Sequence, residues 1–235
     1  MSSKLIIEFN GLPGTGKSTI CAELEKILED RHFVVLKKYP KGSFTSRFVS
    51  ICAKFGAIRL GKLLKKYGQE FSSNTMRKTI YDGIARMFYS YIIFNTFLKP
   101  NQKTIMLKDQ GIVQGILSIA HTERIKNESS LFNLFRYLNQ SRCFFLRVEC
   151  KANSDISFER ILARSKMGSR FDRMQVPELK NNLLIQADNL SLIRRQFSIL
   201  EDCKYNSIVI NTECSPKDNA EFICNFINSI IDDEK

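Results

Sequence analysis

Lys4-Leu5-Ile6-Ile7-Glu8-Phe9-Asn10 runs directly into Gly11-Leu12-Pro13-Gly14-Thr15-Gly16-Lys17-Ser18-Thr19, and the reading of this junction decides the fold. The first segment is a short apolar run stopped by glycine, the pattern of a buried parallel strand. The second carries GxxxxGK[ST] in full. Its glycines let the backbone curl until successive N–H groups point inward, where they can surround phosphate oxygens. From Lys17 to about Asp30, Ile20, Leu24, Ile27 and Leu28 recur at helical spacing. The loop therefore ends at a helix N-terminus, whose partial positive charge favours the same anion. In that arrangement Lys17 reaches the β- and γ-phosphates of a nucleoside triphosphate, and the Ser18 hydroxyl is offered to Mg²⁺.

Outward from this unit, strands and helices alternate. His32–Lys37, Lys103–Lys108, Arg142–Glu149 and Asn206–Asn211 read as further strands. Helix is expected from about Ile112 to Asn139, from about Pro177 to Glu201 and from Asp218 to Ile231. A helical excursion over 42–99 separates the second and third strands. Within it Ile80, Ile84, Met87, Tyr91, Phe94 and Leu98 form one apolar face, with Asp82, Arg86 and Tyr89 opposite. The expectation is one three-layer α/β/α domain over 1–235, with a five-stranded parallel sheet covered on both faces.

Composition narrows the class. An apolar share of 43%, with 18 Phe, excludes disorder. A net charge of +12 points to polyanionic partners, whether nucleic acid, anionic membrane or phosphorylated metabolites. The local run from Arg59 to Lys66 reads either as a solvated helix face or as part of such a surface. Seven cysteines form no CxxC pair, and His32 and His121 lack metal-ligand spacing. The longest apolar stretch, Met87–Leu98, is too short to span a bilayer. These features set the expectation of a reduced, cytoplasmic protein with no cleaved leader and no membrane partner.

Two further motifs bear chemistry. A phosphate loop needs a carboxylate at the tip of a neighbouring strand for the hydrated metal, and Asp109 follows the strand Lys103–Lys108. Asp109 also suits the N-cap of the helix beginning at Ile112. Beyond the fourth strand, Arg160, Arg164, Arg170 and Arg173 surround a break at Gly168. Guanidinium groups on such a flap can close over transferring phosphates and exclude water.

The chain resembles the P-loop nucleoside and nucleotide kinases, nearest the thymidylate-kinase-like group. The resemblance is carried by FNGLPGTGKST, by KDQG at 108–111 and by RILARSKMGSRFDR at 160–173, with weaker matches at 79–89 and 38–40. It implies a P-loop NTPase fold and an ATP- and Mg²⁺-dependent phosphotransferase. Gly11, Pro13, Gly14, Thr15, Gly16, Lys17, Ser18, Thr19 and Arg160 would hold the nucleotide, and Ser18 and Asp109 the metal. Lys17, Asp109, Arg164 and Arg170 would act in catalysis, with Arg160–Arg173 inside a LID-like loop over about 155–175. Lys38, Arg47, Arg86 and Arg173 would contact the acceptor. Gln110 stands where the family often has arginine. Relatives in this group are often homodimers.

For the acceptor, the stretch after the second strand, Leu36-Lys37-Lys38-Tyr39-Pro40-Lys41, contains no acid that could take a hydroxyl proton. Arg47, Arg59, Arg77 and Arg86 follow it. This favours a phosphorylated acceptor such as a nucleoside monophosphate. Open beside it stand a hydroxyl acceptor (nucleoside, sugar or polynucleotide end) with Asp109 as base, and a non-kinase P-loop ATPase. Nucleic acid is the less favoured partner, and an NKxD-type guanine motif is absent from the sequence.

Overall fold

The computed structural model describes residues 4–37, 43–66, 75–97, 103–122, 145–164, 171, 174–199 and 205–233. Five parallel strands, β1 (Lys4–Asn10), β2 (Val34–Leu36), β3 (Thr104–Lys108), β4 (Phe145–Lys151) and β5 (Tyr205–Asn211), form one sheet in the order β2-β3-β1-β4-β5. Strand β1 lies at its centre, with Ile6 opposite Met106 on one side and Phe145 on the other. The phosphate loop thus leaves the middle of the sheet, flanked by the tips of β3 and β4.

The described helices are α1 (Lys17–Asp30), α2 (Phe44–Lys66), α3 (Thr75–Phe97), α4 (Ile112–Thr122), α5 (Ser154–Leu162), α6 (Val176–Ile199) and α7 (Pro216–Asp233). Side chains alternate across a strand, and β1 divides its residues accordingly. Leu5, Ile7 and Phe9 join Leu24, Leu28, Ile223 and Ile227 of α1 and α7 in one core layer. Ile6 joins Tyr91, Phe94, Met106, Ile116 and Ile193 of the opposite layer, beneath α3, α4 and α6. The alternation also commits Glu8 to this second layer, where it is fully buried. Burying each Leu or Ile in these layers stabilises the fold by roughly 1.5–3 kcal/mol before the entropy of ordering it is counted.

The expected α/β/α sheet and its five strands are present, with shifted bounds. The second strand is shorter than His32–Lys37 because its first residues finish α1 instead. His32 takes a left-handed φ of 63°, its N–H bonds to Glu29 O, and Phe33 N–H reaches back to Leu28 O at 3.0 Å. That is a helix C-terminal wrap rather than an extended strand. The 42–99 excursion divides into α2 and α3. On α3, Ile84, Tyr91 and Phe94 are buried and Arg86 is exposed, as their spacing implies. The helix after Asp109 is described to Thr122; its expected continuation to Asn139, like Arg142 at the expected start of the fourth strand and Leu98 on the apolar face, lies outside the described residues. None of the described helices is long and apolar enough to cross a membrane.

Candidate active site

The loop between β1 and α1 is built as its glycines require. Gly14 has φ 83°, and a Cβ there would stand 2.2 Å from the carbonyl oxygen of Ser157 on α5. No L-residue with a side chain fits, so α5 presses directly on the loop. Gly16 caps α1 in a left-handed conformation, with φ 81°. Thr15 closes the turn through its hydroxyl, which donates to Leu12 O at 2.8 Å. Pro13 occupies the turn itself, and Thr19 N–H bonds back to Gly16 O at 3.1 Å.

Lys17 is folded over this loop. Its ammonium donates to Gly11 O at 2.9 Å, Leu12 O at 2.6 Å and Thr15 Oγ1 at 3.2 Å. The side chain is largely buried, and burial pulls its pKa down to about 8. Asp109 and Arg164 act on the same charge with opposite signs, the carboxylate raising the pKa and the guanidinium lowering it. The neighbouring thiols Cys21 and Cys150 are buried and pushed up to about 12, which leaves them as inert packing groups. The described cysteines are all free.

Asp109 sits exposed at the tip of β3, and Ser18 donates its hydroxyl to Asp109 Oδ2 at 3.3 Å. The expected capping role falls to a different acid. Ile112 N–H, at the start of α4, is accepted by Glu8 Oε1 at 3.0 Å. Glu8 reaches this amide from the neighbouring central strand, and Asp109 is left turned toward Ser18. The hydroxyl and carboxylate form a hard oxygen pair beside the loop, which fits Mg²⁺, an ion that keeps several waters and takes few protein ligands. Among the described residues no cluster of three or more His, Cys, Asp or Glu could hold a metal by itself.

From this pair a cleft of about 560 Å³ opens between α1, the tip of β3, and helices α2 and α3. Its polar lining includes Ser18, Lys37, Arg86, Lys108, Asp109 and Gln110, with Ser46 and Ser90. Arg86 is steadied by donating through Nη1 to Ser50 Oγ on α2 at 2.7 Å. Lys108 donates to the Lys37 carbonyl, and Lys37 pairs with Glu25 of α1. The hydrogen bond from Lys37 to Glu25 raises the pKa of the ammonium above the usual lysine value. The size suits a compact ligand of nucleoside dimensions.

The expected site residues divide into four groups. The loop residues, Ser18, Asp109 and Arg86 converge on the cleft or its edge. Arg160, on α5, reaches the loop from the other side: its Nη2 donates to Thr212 O at 3.0 Å, and its Nη1 is 3.7 Å from where a Gly16 Cβ would stand. Arg164 follows α5 close enough to act on the Lys17 charge. Arg47 is exposed on α2, and the cleft lining includes Ser46 and Val49 but not Arg47. Successive helix positions turn by about 100°, so Arg47 points away from the cavity that Ser46 faces. Lys38, Arg170 and Arg173 lie outside the described residues. Phe171 is buried with Ile161, Leu179 and Leu183. Lys37 and Lys108 of the cleft, and the Thr212 carbonyl beside Arg160, were not singled out by the sequence. All three are ordinary strand-end residues whose side of the sheet becomes visible only once the strands are ordered.

The fold and the loop define a P-loop protein of the α/β/α class. The sequence matches no family model and no curated protein. Among solved structures the chain is similar to a deoxyadenosine kinase from M. mycoides with bound dATP, at 15% identity and a TM-score of 0.54, over 96% of this chain and 100% of that one. It is also similar to the deoxyadenosine kinase from M. mycoides with bound dCTP, at 16% identity and a TM-score of 0.50, over 95% of this chain and 99% of that one. At such identities the likeness is one of fold.

Proposed function

We propose that the chain is a single-domain, Mg²⁺-dependent kinase that moves the γ-phosphoryl group of ATP to a small acceptor, best matched by a nucleoside monophosphate. The observation that carries this reading is the cleft beside the phosphate loop, whose lining sets Arg86, Lys108 and the Glu25-paired Lys37 against one carboxylate, Asp109. A monophosphate is already an anionic nucleophile, and its approach to a triphosphate is opposed by like charge. Cations on the cleft wall offset that repulsion. The acceptor oxygen forms a bond to the γ-phosphorus while the bond to the β,γ-bridging oxygen breaks and ADP leaves. Lys17 and the loop amides stabilise the charge that develops, with Arg160 and Arg164 approaching from α5. Mg²⁺ held at Ser18 and Asp109 would neutralise phosphate charge when bound.

A second reading is supported by the exposed Asp109 in the cleft and by the likeness to deoxyadenosine kinases. In it the acceptor is a nucleoside hydroxyl, which passes its proton to the Asp109 carboxylate as the oxygen attacks. Purified chain with MgATP, supplied separately with nucleoside monophosphates, nucleosides and sugars, separates the two by ADP release. Turnover of monophosphates is expected; turnover of unphosphorylated alcohols alone would replace the first reading with the second.

Asp109→Asn is expected to lower Mg²⁺-dependent turnover by about 10–100-fold, the usual scale for groups that orient or hold a catalytic metal. Nucleotide binding measured in EDTA should change little. Equal losses with and without metal would remove Asp109 from the metal site.

Lys17 also predicts a pH dependence. Its pKa of about 8 lies below the 10.5 of an unperturbed lysine, because the buried ammonium is poorly solvated. An incoming triphosphate favours the charged form, so above pH 8 binding must take up a proton. Affinity for ATP should then fall by up to ~10-fold per pH unit above that point. The sign reverses for the ligand-free fold. Between about 8 and 10.5 the unfolded chain holds the proton that the folded chain has released, so this group makes the apo protein more stable as pH rises. Calorimetric titrations from pH 7 to 9.5 in buffers of different ionisation heat measure the proton uptake, and Lys17→Ala should abolish it.

A further inference from the structure

Helix α2 turns Val49, Ala53 and Gly56 into the protein and leaves its outer face strongly apolar. Phe44 is 83% exposed, Phe48 42%, Ile51 55%, Phe55 65% and Ile58 57%. Their spacing of four, three, four and three keeps all five on one stripe about 21 Å long. Phe44 and Phe48 stack on each other, with ring centroids 6.3 Å apart. The helix carries six Lys or Arg and no Asp or Glu. By helical periodicity the exposed Arg47 and Lys54 fall along one edge of the stripe and Arg59 along the other, while Lys62 extends it.

We propose that this face docks the protein on an anionic phospholipid surface, with α2 lying flat at the headgroup boundary. The pattern is that of an interfacial amphipathic helix: phenylalanines and isoleucines enter the acyl edge while fringing cations meet anionic headgroups. Long basic side chains can lay their stems along the apolar stripe and keep their charges at headgroup level. A second copy of the chain is a poorer occupant. Pairing two such faces would bring like-charged fringes together, and five side chains of on the order of 100 Å² each fall short of the roughly 800 Å² per partner that a stable interface needs. The earlier expectation of no membrane partner rested on the lack of a spanning stretch, which has no bearing on docking at the surface. Because α2 also lines the cleft through Ser46 and Val49, a docked chain holds that cleft within about one helix diameter, 10–12 Å, of the headgroups. The docking itself is independent of the proposed kinase activity.

Flotation of the full chain with phosphatidylcholine vesicles, alone or with roughly one third phosphatidylglycerol, tests this. The chain should float with the anionic vesicles, remain behind with the neutral ones, and bind less as salt rises. The pair Phe44→Ser with Phe55→Ser, and separately Lys54→Glu with Arg59→Glu, should each lower the partition coefficient at least about tenfold, at about fivefold per cation for the second pair. Thermal unfolding of each variant shows that the fold persists, and the two pairs act through different chemistry. Failure of the unaltered chain to bind anionic vesicles overturns the proposal, as does binding that neither pair weakens. Sedimentation equilibrium showing a dimer that the Phe substitutions dissolve, without vesicle binding, assigns the face to self-association. An acidic amphipathic peptide that binds the face when vesicles do not assigns it to a protein partner.

Discussion

Lys17→Ala is expected to lower phosphoryl transfer by on the order of 10³-fold, the scale on which a single charged or donating group at a transferring phosphate acts. Without nucleotide, the ammonium is held by the Gly11 and Leu12 carbonyls and by Thr15 Oγ1 inside the loop. Burial has stripped it of much of its water. A phosphate oxygen that replaces those carbonyls meets a poorly solvated cation, so the attraction is strong. Removing the side chain also leaves two loop carbonyls without their donor, at about 1–3 kcal/mol of stability. Single-turnover transfer and thermal unfolding, measured on one preparation, separate the two effects. A variant that unfolds a few degrees lower yet retains full transfer would exclude Lys17 from the chemistry.

The site was legible where its geometry is local. Strand, glycine turn, lysine and helix follow one another without a gap, so Gly11–Thr19 could be read before any tertiary contact was known. Asp109 was legible for a related reason: it ends an apolar run, and strand tips in parallel sheets gather on one edge. What escaped was whatever depends on the order of strands. Glu8 could be assigned to neither face with assurance, because an acid in an apolar strand breaks the pattern that would orient it. Only the pairing of β1 with both β3 and β4 brings Gly111 and Arg147 to it. The same holds for Lys37 and Lys108, which meet because β2 lies beside β3. On α2 the apolar period is plain, but periodicity cannot say which of two small-and-large faces packs inward. Val49, Ala53 and Gly56 went inside because small residues let α2 lie close against α3. The larger Phe and Ile side chains were left outside.

Glu8→Ala is expected to destabilise the fold by roughly 3–5 kcal/mol, a large part of the 5–15 kcal/mol typical of a domain. Glu8 is completely buried under α4 and does two jobs there. Its Oε1 accepts from Ile112 N–H at 3.0 Å and so caps the helix that begins beside Asp109. Its Oε2 stands 3.7 Å from Arg147 Nε, whose side chain is 5% exposed. Removing the carboxylate leaves a helix N-terminus without its acceptor and takes away the negative charge that a buried guanidinium faces. Gly111 shows how tightly the carboxylate is enclosed, since a Cβ at that position would lie 2.4 Å from Glu8 Cδ. Gly111→Ala should therefore be destabilising alone, because Glu8 must move from its cap. In a Glu8→Ala background the Cγ and Cδ contacts are gone, and only the contact with the residue 8 Cβ, at 2.6 Å, is left to be relieved. The double variant should be more stable than the sum of the single losses predicts, by about 1–3 kcal/mol of coupling. Denaturant unfolding of the four proteins measures this directly. Strict additivity would mean that Gly111 is required by its backbone and not by the carboxylate beside it. Coupling of the expected sign would tie the turn that presents Asp109 to a buried charge on the neighbouring strand.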